Sequence, residues 1–172
     1  MIRVLVSAAS RHGSTDEIAR AISVVLRAFE LDVDVIAPDD VDSVSSYDAV
    51  IIGSAVYDGH WLRPAIDIVE RHRDDLRLRP VFLFSSGPLG DRPRLARRAP
   101  EATACESDAV AMDHRVFAGS LARRRLGLSE RIDSRVHGIQ DGDFRPWDDI
   151  VDWARAIARY LRAESTAAIP TR

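Results

Sequence analysis

Residues 10–15 read S-R-H-G-S-T and combine three hydroxyl side chains, one glycine and two basic side chains. They lie between an apolar run and a stretch of helical periodicity, which places them in the loop before a helix. The unpaired backbone N–H groups and the partial positive charge of a helix N-terminus suit a phosphate group. Gly13 lets the backbone approach such a group closely. The phosphate-binding candidates are Ser10, Arg11, His12, Gly13, Ser14 and Thr15.

The same loop has a simpler interpretation. Ser14 followed by Glu17 has the spacing of a capping box, in which the two side chains satisfy backbone N–H groups at the start of a helix. The hydroxyl groups and the glycine exceed what a cap needs, and this favours the phosphate site.

Two further loops of small residues follow apolar runs, at residues 54–61 and 85–90. Their backbone groups can hydrogen-bond a planar ligand, and Tyr57 can stack on it. The alternative for Tyr57 is packing on the next helix, where we also expect Trp61. His60 is either a proton donor or a surface histidine. The candidate ligand contacts are Ser54, Ala55, Val56, Tyr57, Gly59, Ser85, Ser86, Gly87 and Pro88.

These loops need a scaffold of strands and helices to bring them together. Apolar runs predict strands over residues 2–7, 31–36, 49–53, 80–86 and 115–121, and helical spacing predicts helices over residues 14–30, 62–72 and 147–161. Buried strands that alternate with amphipathic helices indicate an α/β fold with a five-stranded parallel sheet covered on both faces. Ligands of such sheets bind beyond the carboxyl ends of the strands.

Composition and missing motifs exclude several classes of protein. The net charge of −3 argues against nucleic-acid binding. All 24 basic residues are arginine, so neither a P-loop nucleotidase nor a phosphorylated receiver domain, both of which need lysine, fits. A G-x-G-x-x-G dinucleotide motif is absent from the sequence. We expect no metal site.

Length and cysteine content bound the organisation and the location. We expect one domain over residues 1–164 and a flexible tail over residues 165–172. The single cysteine and the lack of a long apolar stretch predict a cytoplasmic protein.

The S-R-H-G-S-T loop resembles the phosphate loop of flavodoxins, with matches at Ser10, Gly13 and Thr15 and a departure at His12, where a threonine is usual. Residues 47–60 and 147–158 are similar to flavodoxin-like, menaquinone-dependent protoporphyrinogen oxidases of bacteria. The resemblance implies a flavodoxin-like three-layer sandwich with strand order 2-1-3-4-5. It also implies FMN as the cofactor, with its phosphate in the first loop and its ring between the other two.

The resemblance leaves three functions open. Residues 85–90 contain no aromatic side chain, so one face of a bound flavin is expected to be open to a substrate. This favours an FMN-dependent oxidoreductase that uses a quinone acceptor, such as a protoporphyrinogen oxidase. The alternatives are a one-electron carrier that serves a redox partner protein and an interaction module without flavin.

Arginines cluster after the fourth predicted strand and again after the fifth. Guanidinium groups bind carboxylates in bidentate pairs, such as the propionates of a porphyrinogen. Basic segments can also lie at the surface of an anionic membrane, and the plainest alternative is a solvated helix. The candidate substrate residues are Arg97, Arg98, Arg123 and Arg124.

Overall fold

The computed structural model describes residues 1–87, 99–121 and 142–167. Its strands are β1 (Arg3–Ala9), β2 (Asp32–Val35), β3 (Ala49–Tyr57), β4 (His60–Trp61), β5 (Val81–Ser86), β6 (Asp113–Phe117), β7 (Ser120–Leu121) and β8 (Gly142–Asp143). Its helices are α1 (Ser14–Ala28), α2 (Arg63–Arg71), α3 (Arg73–Leu76), α4 (Pro100–Asp108) and α5 (Trp147–Ala167), with a 3₁₀ turn at Pro38–Asp40. Among these helices, none combines the length and the apolar character that crossing a bilayer requires.

Five parallel strands form the main sheet in the order β2-β1-β3-β5-β6. Numbered among themselves, they follow the order 2-1-3-4-5, so the predicted fold class and topology are confirmed. The short strand β4 pairs antiparallel with the end of β3, and β7 and β8 form a separate two-stranded sheet. The strand order reverses between β1 and β3, which are neighbours in the sheet. The helix after β1 and the helix after β3 lie on opposite faces of the sheet.

Two apolar clusters fill the space on either side of the sheet. Val4 and Val6 of β1 belong to the cluster beneath α1 and α5, whereas Leu5 belongs to the cluster beneath α2 and α4. All three side chains are fully buried, because a strand covered on both faces is apolar at every position. Each such side chain contributes roughly 1.5–3 kcal/mol through removal from water.

Helical periodicity in α1 produces its packing. Ile18, Ile22 and Leu26 recur every four residues and are fully buried. They meet Trp153 and Ile157 of α5 in the same cluster. These two helices therefore lie side by side on one face of the sheet.

Several boundaries differ from the sequence predictions. β3 continues to Tyr57, four residues beyond its predicted end at residue 53, and the predicted loop over residues 54–61 is largely a hairpin. The fifth parallel strand ends at Phe117, and Ser120–Leu121 belongs to the small separate sheet. The apolar run continued through both segments, so the sequence pattern did not mark the break.

Helix α4 is absent from the sequence prediction. It begins with Pro100 in its first turn and buries only two small side chains, Ala102 and Cys105. Small residues give weak periodicity, which explains the omission. The last helix continues to Ala167 and so includes residues 165–167 of the predicted tail.

Candidate functional site

The loop between β1 and α1 forms the first part of the candidate site. Gly13 is the N-cap of α1 and adopts a left-handed conformation with φ of 84°, which a residue with a side chain rarely adopts. Its N–H donates to Ser10 Oγ at 3.0 Å and closes the loop. The N–H groups of the first helical turn have no carbonyl one turn earlier to bind, so they suit an anion.

The capping-box alternative is wrong, because Gly13 and not Ser14 is the N-cap. Ser14 Oγ accepts the backbone N–H of Ser120 at 3.1 Å, and the Glu17 carboxylate pairs with Arg145 at 2.6 Å. Both residues of the expected box therefore contact a distant part of the chain. Thr15 is only 1% exposed, whereas Arg11 lies at the surface.

The second part of the site is the β3–β4 hairpin. Asp58 and Gly59 form its turn with φ of 50° and 83°, the positive values that a type I′ turn requires. Tyr57 pairs with His60 across the hairpin, which places the two residues on the same face. The Asp-Gly pair between two apolar-containing segments is the sequence signal for this hairpin, whose residues were predicted to form a loop.

Tyr57 joins the hairpin to the phosphate loop. The Arg11 guanidinium lies 4.6 Å from the centre of the Tyr57 ring, and the His12 ring lies edge-on to it with centroids 6.1 Å apart. The fold thus brings together residues that were predicted to bind a phosphate and residues that were predicted to bind a ring. A ligand that stacks on Tyr57 either binds the ring face opposite Arg11 or displaces Arg11 from the ring.

Buried hydroxyl groups hold the hairpin on the sheet. Ser54 Oγ donates to the Ala55 carbonyl and accepts the Leu62 N–H, both at 2.9 Å. Ser85 Oγ accepts the Trp61 Nε1 proton at 2.8 Å and lies 2.9 Å from His114 Nε2. The Ser54 and Ser85 side chains are therefore used internally, and both residues also pair with neighbouring strands on either side.

Trp61 is 4% exposed and belongs to the apolar cluster beneath α2 and α4, as expected of a packing residue. Ala55 and Ser86 are also buried, Val56 is half-buried and Gly59 is exposed. The Gly87 N–H donates to the Phe117 carbonyl at 3.1 Å. Ligand contact by these positions stays a prediction.

His60 links the hairpin to α4. Its Nδ1 lies 2.7 Å from Glu101 Oε1 in the first turn of that helix. Burial opposes ionisation of Glu101, but hydrogen bonds from His60 and from backbone N–H groups outweigh it and lower the pKa of the carboxyl below its ordinary value. His60 thus lies within hydrogen-bond distance of Glu101 at the rim of the site.

Five predicted positions lie outside the described residues: Pro88, Arg97, Arg98, Arg123 and Arg124. The expected substrate contacts and the expected contact with a membrane surface depend on these arginine-rich segments. They stay predictions.

Sequence reasoning missed Arg145, which lies between the first turn of α1 and β8. Its guanidinium binds Asp143 through two bonds, Nε to Oδ1 at 2.7 Å and Nη2 to Oδ2 at 2.6 Å. Its Nη1 reaches Glu17 Oε2 at 2.6 Å, and the side chain is 7% exposed. No local pattern reveals the contact between Arg145 and Glu17, because 128 residues separate them in the sequence.

Solved structures resemble this chain across most of its length. A flavodoxin from Streptococcus pneumoniae gives a TM-score of 0.59 at 20% identity. The match covers 94% of this chain and 99% of the flavodoxin. The rubredoxin oxygen:oxidoreductase of Desulfovibrio gigas gives a TM-score of 0.64 at 14% identity, and this chain covers 36% of it. At these identities the similarity shows the fold.

Sequence comparison identifies the family. A probable flavodoxin 1 from Bacillus subtilis is 37% identical over 73 residues, which make up 41% of this chain and 46% of that protein. The chain thus matches less than half the length of this curated relative. These matches do not support the narrower resemblance to protoporphyrinogen oxidases. The Flavodoxin domain family matches residues 5–136, so the chain belongs to that family, and this membership implies FMN as its cofactor.

Proposed function

We propose that this protein binds FMN noncovalently where the β1–α1 loop meets the β3–β4 hairpin and acts as a redox protein. One observation carries the proposal: the Gly13-capped start of α1 lies beside Tyr57, with Arg11 and His12 in contact with the tyrosine ring. This junction lies at the carboxyl ends of β1 and β3, where a doubly wound sheet changes direction and holds its ligand.

The residues present suit the two parts of FMN. The first turn of α1 offers N–H groups and a partial positive charge to the phosphate, and Ser10 and Ser14 add hydroxyl groups beside it. Tyr57 offers an aromatic surface to the ring, and backbone groups of the hairpin offer hydrogen bonds to its polar edge. When bound, FMN supplies the electron-transfer chemistry, which no side chain of the protein provides.

We further propose that electrons pass to a small quinone acceptor. Residues 85–90 and the arginine-rich sequence after them contain no aromatic side chain that would cover a second face of the ring. The sequence also places Arg97 and Arg98 before α4 and Arg123 and Arg124 after β7, and these arginines suit a substrate that carries carboxylates. A porphyrinogen is one such substrate.

The second candidate is a soluble one-electron carrier that works with a partner protein. The relatives favour it, since both the curated relative and a solved structure of similar length are flavodoxins. The two candidates share the cofactor site and differ in what approaches the ring.

Purification without added flavin followed by identification of the released chromophore tests the cofactor. We expect FMN, and a colourless preparation that also fails to bind added FMN would contradict the proposal. For the acceptor, the reduced protein is mixed with menadione or with cytochrome c. Fast oxidation by menadione supports the quinone-coupled function, whereas oxidation by cytochrome c alone supports the carrier.

A further inference from the structure

The first turn of α1 contains an electrostatic conflict. Asp16 and Glu17 place two carboxyl groups beside the N–H groups that would bind the FMN phosphate. Acidic side chains stabilise a helix N-terminus, but they repel a phosphate dianion at the same place. The pKa of Asp16 is raised by burial, which Arg20 opposes and Glu17 reinforces. A cation close to this turn would remove much of the repulsion.

Arg145 is such a cation. Its Nη1 lies 2.6 Å from Glu17 Oε2 and 3.3 Å from the Ser14 carbonyl oxygen. The Arg145 side chain is 7% exposed and that of Glu17 is 40% exposed, so solvent and salt reach this pair from the Glu17 side only. Arg145 therefore offsets part of the charge of Glu17, and it shares its own charge with Asp143.

Two other contacts fix the position of Arg145. Asp143 holds it through the bidentate pair, and the ring of Trp147 lies 4.4 Å from its guanidinium carbon. The hydrogen bonds of Asp143 hold the pKa of Arg145 above its ordinary value, against the effect of burial. The arginine is thus charged and anchored before any ligand binds.

The same small sheet contacts α1 a second time. Ser120 of β7 pairs with Asp143 of β8, and the Ser120 N–H donates to Ser14 Oγ. Because this hydroxyl accepts from Ser120, its own proton is available to an acceptor beyond the loop. β7 and β8 therefore hold the first turn of α1 at both Ser14 and Glu17.

We propose that Arg145 is a positioning residue that gives this site its preference for FMN over riboflavin. It offsets part of the negative charge of Glu17 and fixes the first turn of α1, and both effects favour a flavin that carries a phosphate. Riboflavin has the same ring without the phosphate, so its binding depends little on Arg145. This inference rests on the proposed FMN site and names a residue that acts on it from outside the loop.

The test compares FMN and riboflavin affinities of the apoprotein, measured by flavin fluorescence titration. Arg145→Gln should weaken FMN binding about tenfold and riboflavin binding less than about twofold, because only FMN carries a phosphate that responds to the loss of a positive charge beside the loop. The double variant Arg145→Gln/Glu17→Gln should recover most of the FMN affinity. Equal losses for both flavins, or no recovery in the double variant, would overturn the proposal.

The chain offers a matched control at the other end of the same helix pair. Arg162 of α5 binds Glu30 at 3.2 Å and the Phe29 carbonyl at 3.0 Å, far along α1 from the phosphate loop. Arg162→Gln should leave the affinity ratio of the two flavins unchanged. A change as large as that of Arg145→Gln would show that the ratio reports helix packing and would overturn the role of Arg145.

Glu17→Gln keeps the test decisive if Arg145→Gln does not fold. With Arg145 intact and the carboxylate removed, FMN should bind more tightly and riboflavin should not, and unchanged FMN affinity would overturn the proposal. A parent protein that binds riboflavin but shows no preference for FMN contradicts the role of Arg145 alone. A parent protein that binds neither flavin contradicts the proposed FMN site itself.

Discussion

Both ends of α1 are bounded by a residue in the left-handed region, but only the N-terminal one is glycine. Gly13 has φ of 84° before the helix, and Glu30 has φ of 62° after it. Glycine adopts this conformation without steric cost, whereas glutamate pays for it. The two ends therefore use different residues for the same backbone conformation.

The C-terminal end is closed by the chain itself. The Glu30 N–H donates to the Arg27 carbonyl at 2.9 Å, and the Leu31 N–H donates to the Leu26 carbonyl at 3.3 Å. These two bonds form a Schellman motif, and Leu31 and Leu26 belong to the same apolar cluster. The last carbonyl groups of the helix thus have partners within the fold.

The N-terminal end presents its N–H groups at the junction with Tyr57 and compensates its acidic side chain through Arg145. The arginines at the two ends differ in exposure: the Arg145 side chain is 7% exposed and that of Arg162 is 51% exposed. Exposed ion pairs contribute little to stability, and buried ones fix geometry. The chain itself thus closes the C-terminal end of α1, whereas the N-terminal end leaves its N–H groups at the proposed phosphate site.

The largest expected effect follows from Gly13→Asp. The substitution forces a side chain into the left-handed conformation and adds a carboxylate at the proposed phosphate site. FMN affinity should fall at least about tenfold, equivalent to about 1.4 kcal/mol. Gly13→Ala serves as the matched control, because it adds the strain without the charge and should cost less. FMN titration of both apoproteins measures the difference, and an unchanged affinity in Gly13→Asp would remove the phosphate from this end of α1.

Tyr57→Ala tests whether the N-terminal site extends to the hairpin. Loss of an aromatic stacking partner should weaken FMN binding roughly threefold to tenfold and reduce the quenching of flavin fluorescence. Tyr57→Phe retains the ring and should retain both properties. If Tyr57→Ala binds and quenches as the parent does, the flavin ring contacts another residue.

Asp143→Asn tests the anchor of Arg145 through acid stability. Hydrogen bonds from Arg145 lower the pKa of Asp143 below its ordinary value of 3.8, so Asp143 stabilises the folded state above that value and loses this contribution as the pH falls through the lower folded pKa. Asp143→Asn should therefore be less stable than the parent near neutral pH. The difference should shrink as the pH falls below about 4. Urea unfolding across this range measures it, and a constant difference would show that the charge of Asp143 is not involved.

The contrast between the two ends also explains how far the sequence could predict this molecule. Strands such as β1 and β5 and the loop around Gly13 were predictable, because local apolar runs, hydroxyl groups and glycine encode them. The Arg145 contact was not, since it depends on tertiary packing between segments far apart in the sequence. The hairpin at Asp58 and Gly59 lies between these cases, because its turn is encoded locally but its apolar flanks continue the strand pattern.

Glu30→Gly gives the smallest expected effect and bears on the C-terminal end alone. Glycine relieves the left-handed strain of Glu30, worth about 1 kcal/mol, but removes its exposed pair with Arg162 and makes the unfolded chain more flexible. We expect a net gain in unfolding free energy of about 0.5 kcal/mol and no change in FMN affinity. Glu30→Ala retains the strain while losing the pair, so it should be slightly less stable than the parent. Thermal unfolding of the three proteins separates the two effects, and equal stability of the glycine and alanine variants would show that the conformation of residue 30 carries no strain.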